Sequence, residues 1–111
     1  MKSAYQPAPI LAPPNPAAVK SDTGLGTKGG AGLWKSNSGG EWDILLRADT
    51  DATQGGNVVI QFASPPPALF VSTIDAFGTL SQSLVGNQLT VSWTGRPYAG
   101  NHTLRIEWAS S

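Results

Sequence analysis

The stretch TLSQSLVGNQLTVSWTGRPYAGNHTLRIEW, residues 79–108, decides the fold. Two runs of alternating apolar and polar residues meet at Gly86-Asn87, a dipeptide that reads as the tight turn of a β-hairpin. With those residues at its centre, Val85 faces Gln88, Leu84 faces Leu89, Gln82 faces Val91 and Leu80 faces Trp93. One face then carries Leu80, Leu84, Leu89, Val91 and Trp93, and the other carries Ser81, Ser83, Thr90 and Ser92. Because side chains alternate with a period of two, a one-residue slip would turn the apolar set outward, so turn and pattern specify one register. A third run, His102 to Trp108, follows Arg96-Pro97-Tyr98 and is expected to complete a three-stranded antiparallel meander. Gln82 is the misfit on the apolar face, and its amide places it at a sheet edge or in a subunit contact.

Upstream, the texture of short alternating runs continues. Trp42, Ile44, Leu46 and Ala48 alternate with Glu41, Asp43, Leu45 and Arg47, the pattern of a half-buried strand with Trp42 pointing inward. Val58, Ile60 and Phe62 share a face of the next run, and Pro65-Pro66-Pro67 ends it, since consecutive prolines cannot sit in a central ladder. In the run from Ala68 to Asp75, Phe70 and Ile74 share one face and Leu69 and Val71 the other. With Leu33-Trp34 as a short edge strand, six to seven strands lie between Leu33 and the C-terminus, with no helical periodicity. An antiparallel β-sandwich of Ig-like or jelly-roll-like size buries such alternating faces, and a small closed barrel is the competing architecture. The tryptophans, Phe62 and Phe70 are expected to fill the space between the sheets.

The N-terminal region differs. Pro7, Pro9, Pro13, Pro14 and Pro16 forbid a helix and favour extended chain, while Tyr5, Ile10, Leu11 and Val19 offer apolar anchors that a solvated tail would lack. Residues 1–32 are therefore expected to form a Pro/Gly-rich arm and linker, and residues 33–111 the sandwich. The formal charge of zero hides a division: up to Gly40 there are four lysines, Lys2, Lys20, Lys28 and Lys35, against Asp22, and the excess of acids lies beyond. An arm lying along an acidic surface with Lys2 and Lys20 as electrostatic guides is one reading of this division, and sparse charges serving solubility are the other.

Composition excludes several functions. The chain has no cysteine, which removes disulfide frameworks, thiolate metal sites and cysteine nucleophiles. No apolar run approaches the roughly 20 residues of a membrane-spanning helix, and no apolar core of a signal peptide is visible, so synthesis in a cytoplasm is expected. Gly24-Leu25-Gly26-Thr27-Lys28-Gly29 matches the dinucleotide pattern G-x-G-x-x-G, but Pro-rich chain precedes it and Gly-rich chain follows, where a strand and a helix are required. It reads as a flexible linker. Asp49-Thr50-Asp51 begins like a calcium loop, yet Gln54 and Ile60 occupy the positions that need Gly and Glu, so the segment reads as a polar hairpin loop. His102 is the lone histidine and reads as a satisfied edge residue rather than a catalyst or metal ligand. Neither cofactor, metal nor small-molecule substrate is expected, and the acidic folded part disfavours nucleic acid.

A cysteine-free chain with a Pro/Ala-rich arm, a Gly-rich linker and a compact Ser/Thr-rich β-domain ending at Ile106-Glu107-Trp108 resembles small virion proteins of tailed bacteriophages, the capsid decoration or cement proteins. The resemblance lies in layout, without a shared motif. It implies a non-enzymatic structural protein of the virion that binds the major capsid protein or other virion proteins, forms homo-oligomers with trimers favoured, and uses its arm to reach neighbours. Trp34, Arg96, Tyr98 and Gln82 are further interface candidates. A tail or head-fibre component and a carbohydrate-binding module using Trp34 or Tyr98 are the alternatives.

Overall fold

The computed structural model describes residues 14–38, 40–73 and 78–108, and these form eight β-strands without a helix. They are β1 (Pro16–Thr23), β2 (Gly30–Ser38), β3 (Glu41–Ala48), β4 (Gly56–Phe62), β5 (Leu69–Thr73), β6 (Leu80–Val85), β7 (Gln88–Trp93) and β8 (Gly100–Trp108). Two antiparallel four-stranded sheets result, one ordered β1-β4-β7-β6 and the other β2-β3-β8-β5. Side chains from both sheets meet in one core: Val58, Ile60, Phe62, Leu89 and Val91 from the first, and Ile44, Leu46, Leu104 and Ile106 from the second. At roughly 1.5–3 kcal/mol for each fully buried large apolar side chain, this layer supplies the main driving force for folding. Phe62 and Trp108 lock the sheets together in an edge-to-face pair, with ring centroids 5.5 Å apart. The separate sheets exclude the closed barrel.

The β6–β7 hairpin has the expected register, with Leu80 opposite Trp93, Gln82 opposite Val91, Leu84 opposite Leu89 and Val85 opposite Gln88. Gly86 has φ of 62° and Asn87 is not in the left-handed region, which is the type II′ pattern and suits the twist of the flanking strands. The third run departs from expectation. After Trp93 the chain crosses to the other sheet, and β8 pairs with β3 and β5 instead of β7. The eight contiguous residue pairs joining β3 to β8, with Ile44 opposite Leu104 and Asp43 opposite Arg105, outcompete a local meander.

The arm-and-linker boundary also moves. Residues 16–32, expected outside the domain, supply β1 and the start of β2, so among the described residues the sandwich begins at Pro16 and has eight strands where six or seven were expected. Pro16 opens an edge strand, where its missing N–H costs little, and Val19 packs against the core opposite Ile60. Val19 and Lys20 are thus strand residues. The glycine-rich segment is a structured crossover between sheets. Phe70 is a further correction: Leu69 and Val71 take the inward positions on β5, leaving Phe70 65% exposed.

Candidate interaction surface

The G-x-G-x-x-G segment and the Asp49-Thr50-Asp51 loop form one interlocked structure. The Thr27 N–H donates to Oδ1 of Asp51 at 2.9 Å, the Thr27 hydroxyl donates to Oδ2, and the Lys28 N–H donates to Asp49 Oδ2 at 3.1 Å. Backbone bonds from Asp49 to the Leu25 carbonyl and from Thr53 to the Gly24 carbonyl continue the lock, and Leu25 is buried beneath it. Gly26 has φ of 95°, and a Cβ there would lie 2.4 Å from Asp51 Oδ1, so glycine is required for the loops to close. Both carboxylates are occupied with holding the loop. Hydrogen bonds from Thr27 keep the Asp51 carboxyl below its ordinary pKa.

The outer face of the β2-β3-β8-β5 sheet is charged. Asp43 is buried there under Arg105, whose Nε donates at 3.0 Å and Nη2 at 3.3 Å, with Glu41 3.7 Å away. The Arg105 bonds hold the Asp43 carboxyl below its ordinary value despite the opposing effect of burial. On the same sheet, Gly30 and Gly32 leave a shallow groove of about 330 Å³ over Leu45, flanked by Lys28 and Arg47.

The sequence-derived candidates are dispersed. Tyr5, Ile10, Leu11 and Lys2 lie outside the described residues. Trp34 stands in a β-bulge of β2, 52% exposed, with the Lys35 ammonium 4.7 Å from the ring centroid. Arg96 donates from Nη2 to the Thr50 carbonyl at 3.0 Å and so pins two loops. Tyr98 is exposed, but its carbonyl accepts from His102 Nε2 at 2.8 Å. His102 is buried on the inner strand β8, so it is not the edge histidine that was expected. Gln82 lies at a sheet edge and donates from Nε2 to the Leu69 carbonyl at 2.9 Å, tying β6 of one sheet to β5 of the other. The described residues contain no group of three or more His, Cys, Asp or Glu able to hold a metal ion.

One end of the sandwich does collect exposed apolar groups. β1 starts there, because Pro16 lies opposite Phe62, whose N–H bonds the Asn87 carbonyl of the hairpin turn and whose ring meets Trp108. Val85, 76% exposed, and Leu84, 39% exposed, stand beside that turn. Leu69 lies opposite Trp108, and these two residues with Ala68, Phe70 and Glu107 line an open cavity of about 360 Å³. The sequence signals for this cluster were weak, since Phe70 and Leu84 read as core positions.

Comparison with protein-family models, curated proteins and solved structures found no match.

Proposed function

We infer that this chain is a non-enzymatic structural protein that acts by docking on a larger protein assembly, as a decoration or cement protein does on a bacteriophage capsid. The observation that carries this reading is the polarity of the sandwich. The N-terminal segment joins β1 at the end that holds Val85, Leu84, Phe70 and the cavity beside Trp108. Tyr5, Ile10 and Leu11 precede β1 in the sequence by about a dozen residues or fewer, and two weak contacts linked so closely along one chain bind with high effective concentration. The interlocked loops and the Asp43–Arg105 pair make the rest of this Ig-like or jelly-roll-like sandwich a stiff platform, suited to bearing load. The partner in this reading is the major capsid protein or another virion protein.

Removal of residues 2–13 tests the reading, because it spares all of β1. The truncated chain is expected to fold and to lose co-sedimentation with purified capsid shells of the source phage. Unchanged binding would sink the proposal. Retained binding to an immobilised glycan, lost on Trp34→Ala or Tyr98→Ala, would instead favour a carbohydrate-binding module.

A further inference from the structure

Among the described residues the two sheets expose four edge strands, and three of them are blunted. β1 carries two register shifts, one of them around Lys20, and opens with Pro16. β2 likewise carries two shifts and presents Lys35. β5 is five residues long, follows three prolines, and has its Leu69 carbonyl taken by Gln82. Bulges, lysines, prolines and short length are the devices by which sheets avoid edge-to-edge pairing. β6 has none of them: it pairs with β7 without a shift and contains no charge and no proline.

The direction of its backbone groups follows from the hairpin. In a two-residue turn the flanking residues, Val85 and Gln88, form a hydrogen-bonded pair, and such pairs then alternate along the ladder. Odd-numbered residues of β6 therefore bond to β7, in agreement with the Thr94 N–H bonding the Thr79 carbonyl at 3.2 Å. Leu80, Gln82 and Leu84 point their N–H and C=O groups to the open side. The sequence across those positions, Leu80-Ser81-Gln82-Ser83-Leu84, is a palindrome. Set antiparallel against itself about Gln82, it places Leu80 opposite Leu84, Ser81 opposite Ser83 and Gln82 opposite Gln82.

We propose that β6 is a self-recognition edge, on which a second copy of this chain docks its own β6 antiparallel about a two-fold axis at Gln82. Leu80, Gln82 and Leu84 then exchange both backbone bonds with the facing strand, and the β1-β4-β7-β6 sheets of two copies become one continuous sheet. The contact is isologous, so each element is matched by its own kind. The absence of charge on β6 removes like-charge repulsion across the axis. The partly exposed Leu84 gains an apolar neighbour in Leu80 of the facing strand. A two-fold contact makes dimers; trimers would need another surface.

The chain's lack of cysteine provides a clean probe. In the proposed pairing the two Gln82 Cα atoms stand about 5.5 Å apart, within disulfide reach. Gln82→Cys is expected to form a covalent dimer under mild oxidation, while Val85→Cys, displaced from the axis, is expected to form no covalent dimer. By sedimentation velocity the unmodified chain is expected to dimerise with rising concentration. Leu84→Pro, which removes an outward N–H and leaves the β7 ladder intact, should shift it to monomer while its unfolding remains cooperative. A monomer at all concentrations, equal cross-linking at both cysteine positions, or a folded Leu84→Pro variant that still dimerises would each overturn the proposal. These readouts involve no capsid and stand or fall separately from the shell-binding test.

Discussion

Thr27 grips Asp51 with both of its donors, the backbone N–H on one carboxylate oxygen and the hydroxyl on the other. This joins the β1–β2 crossover to the β3–β4 loop and explains why a glycine-rich stretch is ordered. Asp51→Ala is expected to lower the melting temperature, and Thr27→Ser, which keeps both donors, to leave it nearly unchanged. Gly26→Ala should cost more than about 1 kcal/mol, since it adds an unfavourable φ and a clash with the Asp51 carboxylate. Denaturant titration of the three variants measures the order.

Acid should weaken the fold through the same carboxylates. Asp51 and Asp43 both have folded-state pKa values lowered from 3.8, by hydrogen bonds from Thr27 and Arg105 respectively. A lowered folded value means that the unfolded chain binds protons first, so the stabilisation is full above the ordinary carboxylate pKa and fades as pH falls through the folded value. Melting temperature should hold from neutral pH to about 4 and decline below it. The Asp43→Asn, Asp51→Asn double variant should start lower and show a shallower acid decline.

The core prediction is quantitative. Ile60→Ala and Leu104→Ala each empty a fully buried position and are expected to cost about 2–5 kcal/mol. Val85→Ser, at an exposed position, should stay within about 0.5 kcal/mol. Equal effects at all three sites would contradict the assignment of the inner faces.

Truncations locate the domain boundary. Deleting residues 2–13 should leave cooperative unfolding, whereas deleting 2–23 removes β1, uncovers Ile60 and Val58, and should abolish it. Circular dichroism melts of the two truncated chains separate a sandwich starting at Pro16 from one starting at Leu33.

What the sequence made legible was local. The β6–β7 register was readable to the residue because Gly86-Asn87 and the alternation act within a few positions. β8 was misplaced because its decisive partners, such as Asp43 for Arg105, lie 62 residues away. The Gly24–Gly29 stretch read as flexible because its anchor, Asp51, stands 24 residues downstream of Thr27. The inward face of β5 was ambiguous, since Phe70, Leu69 and Val71 are all apolar and the pairing with β8 chooses between them. Among the candidates for interaction, Gln82 stood out as a polar residue on an apolar face, while exposure of Phe70 and Val85 depends on the assembled sheets.

Binding to capsid shells tests the central claim most directly. If the chain is the proposed decoration protein, its co-sedimentation with purified bacteriophage capsid shells should be saturable with the full chain and strongly reduced for a Phe70→Asp, Val85→Asp variant whose thermal melt is unchanged. Undiminished binding by that folded variant, or no binding by the full chain, would contradict the account.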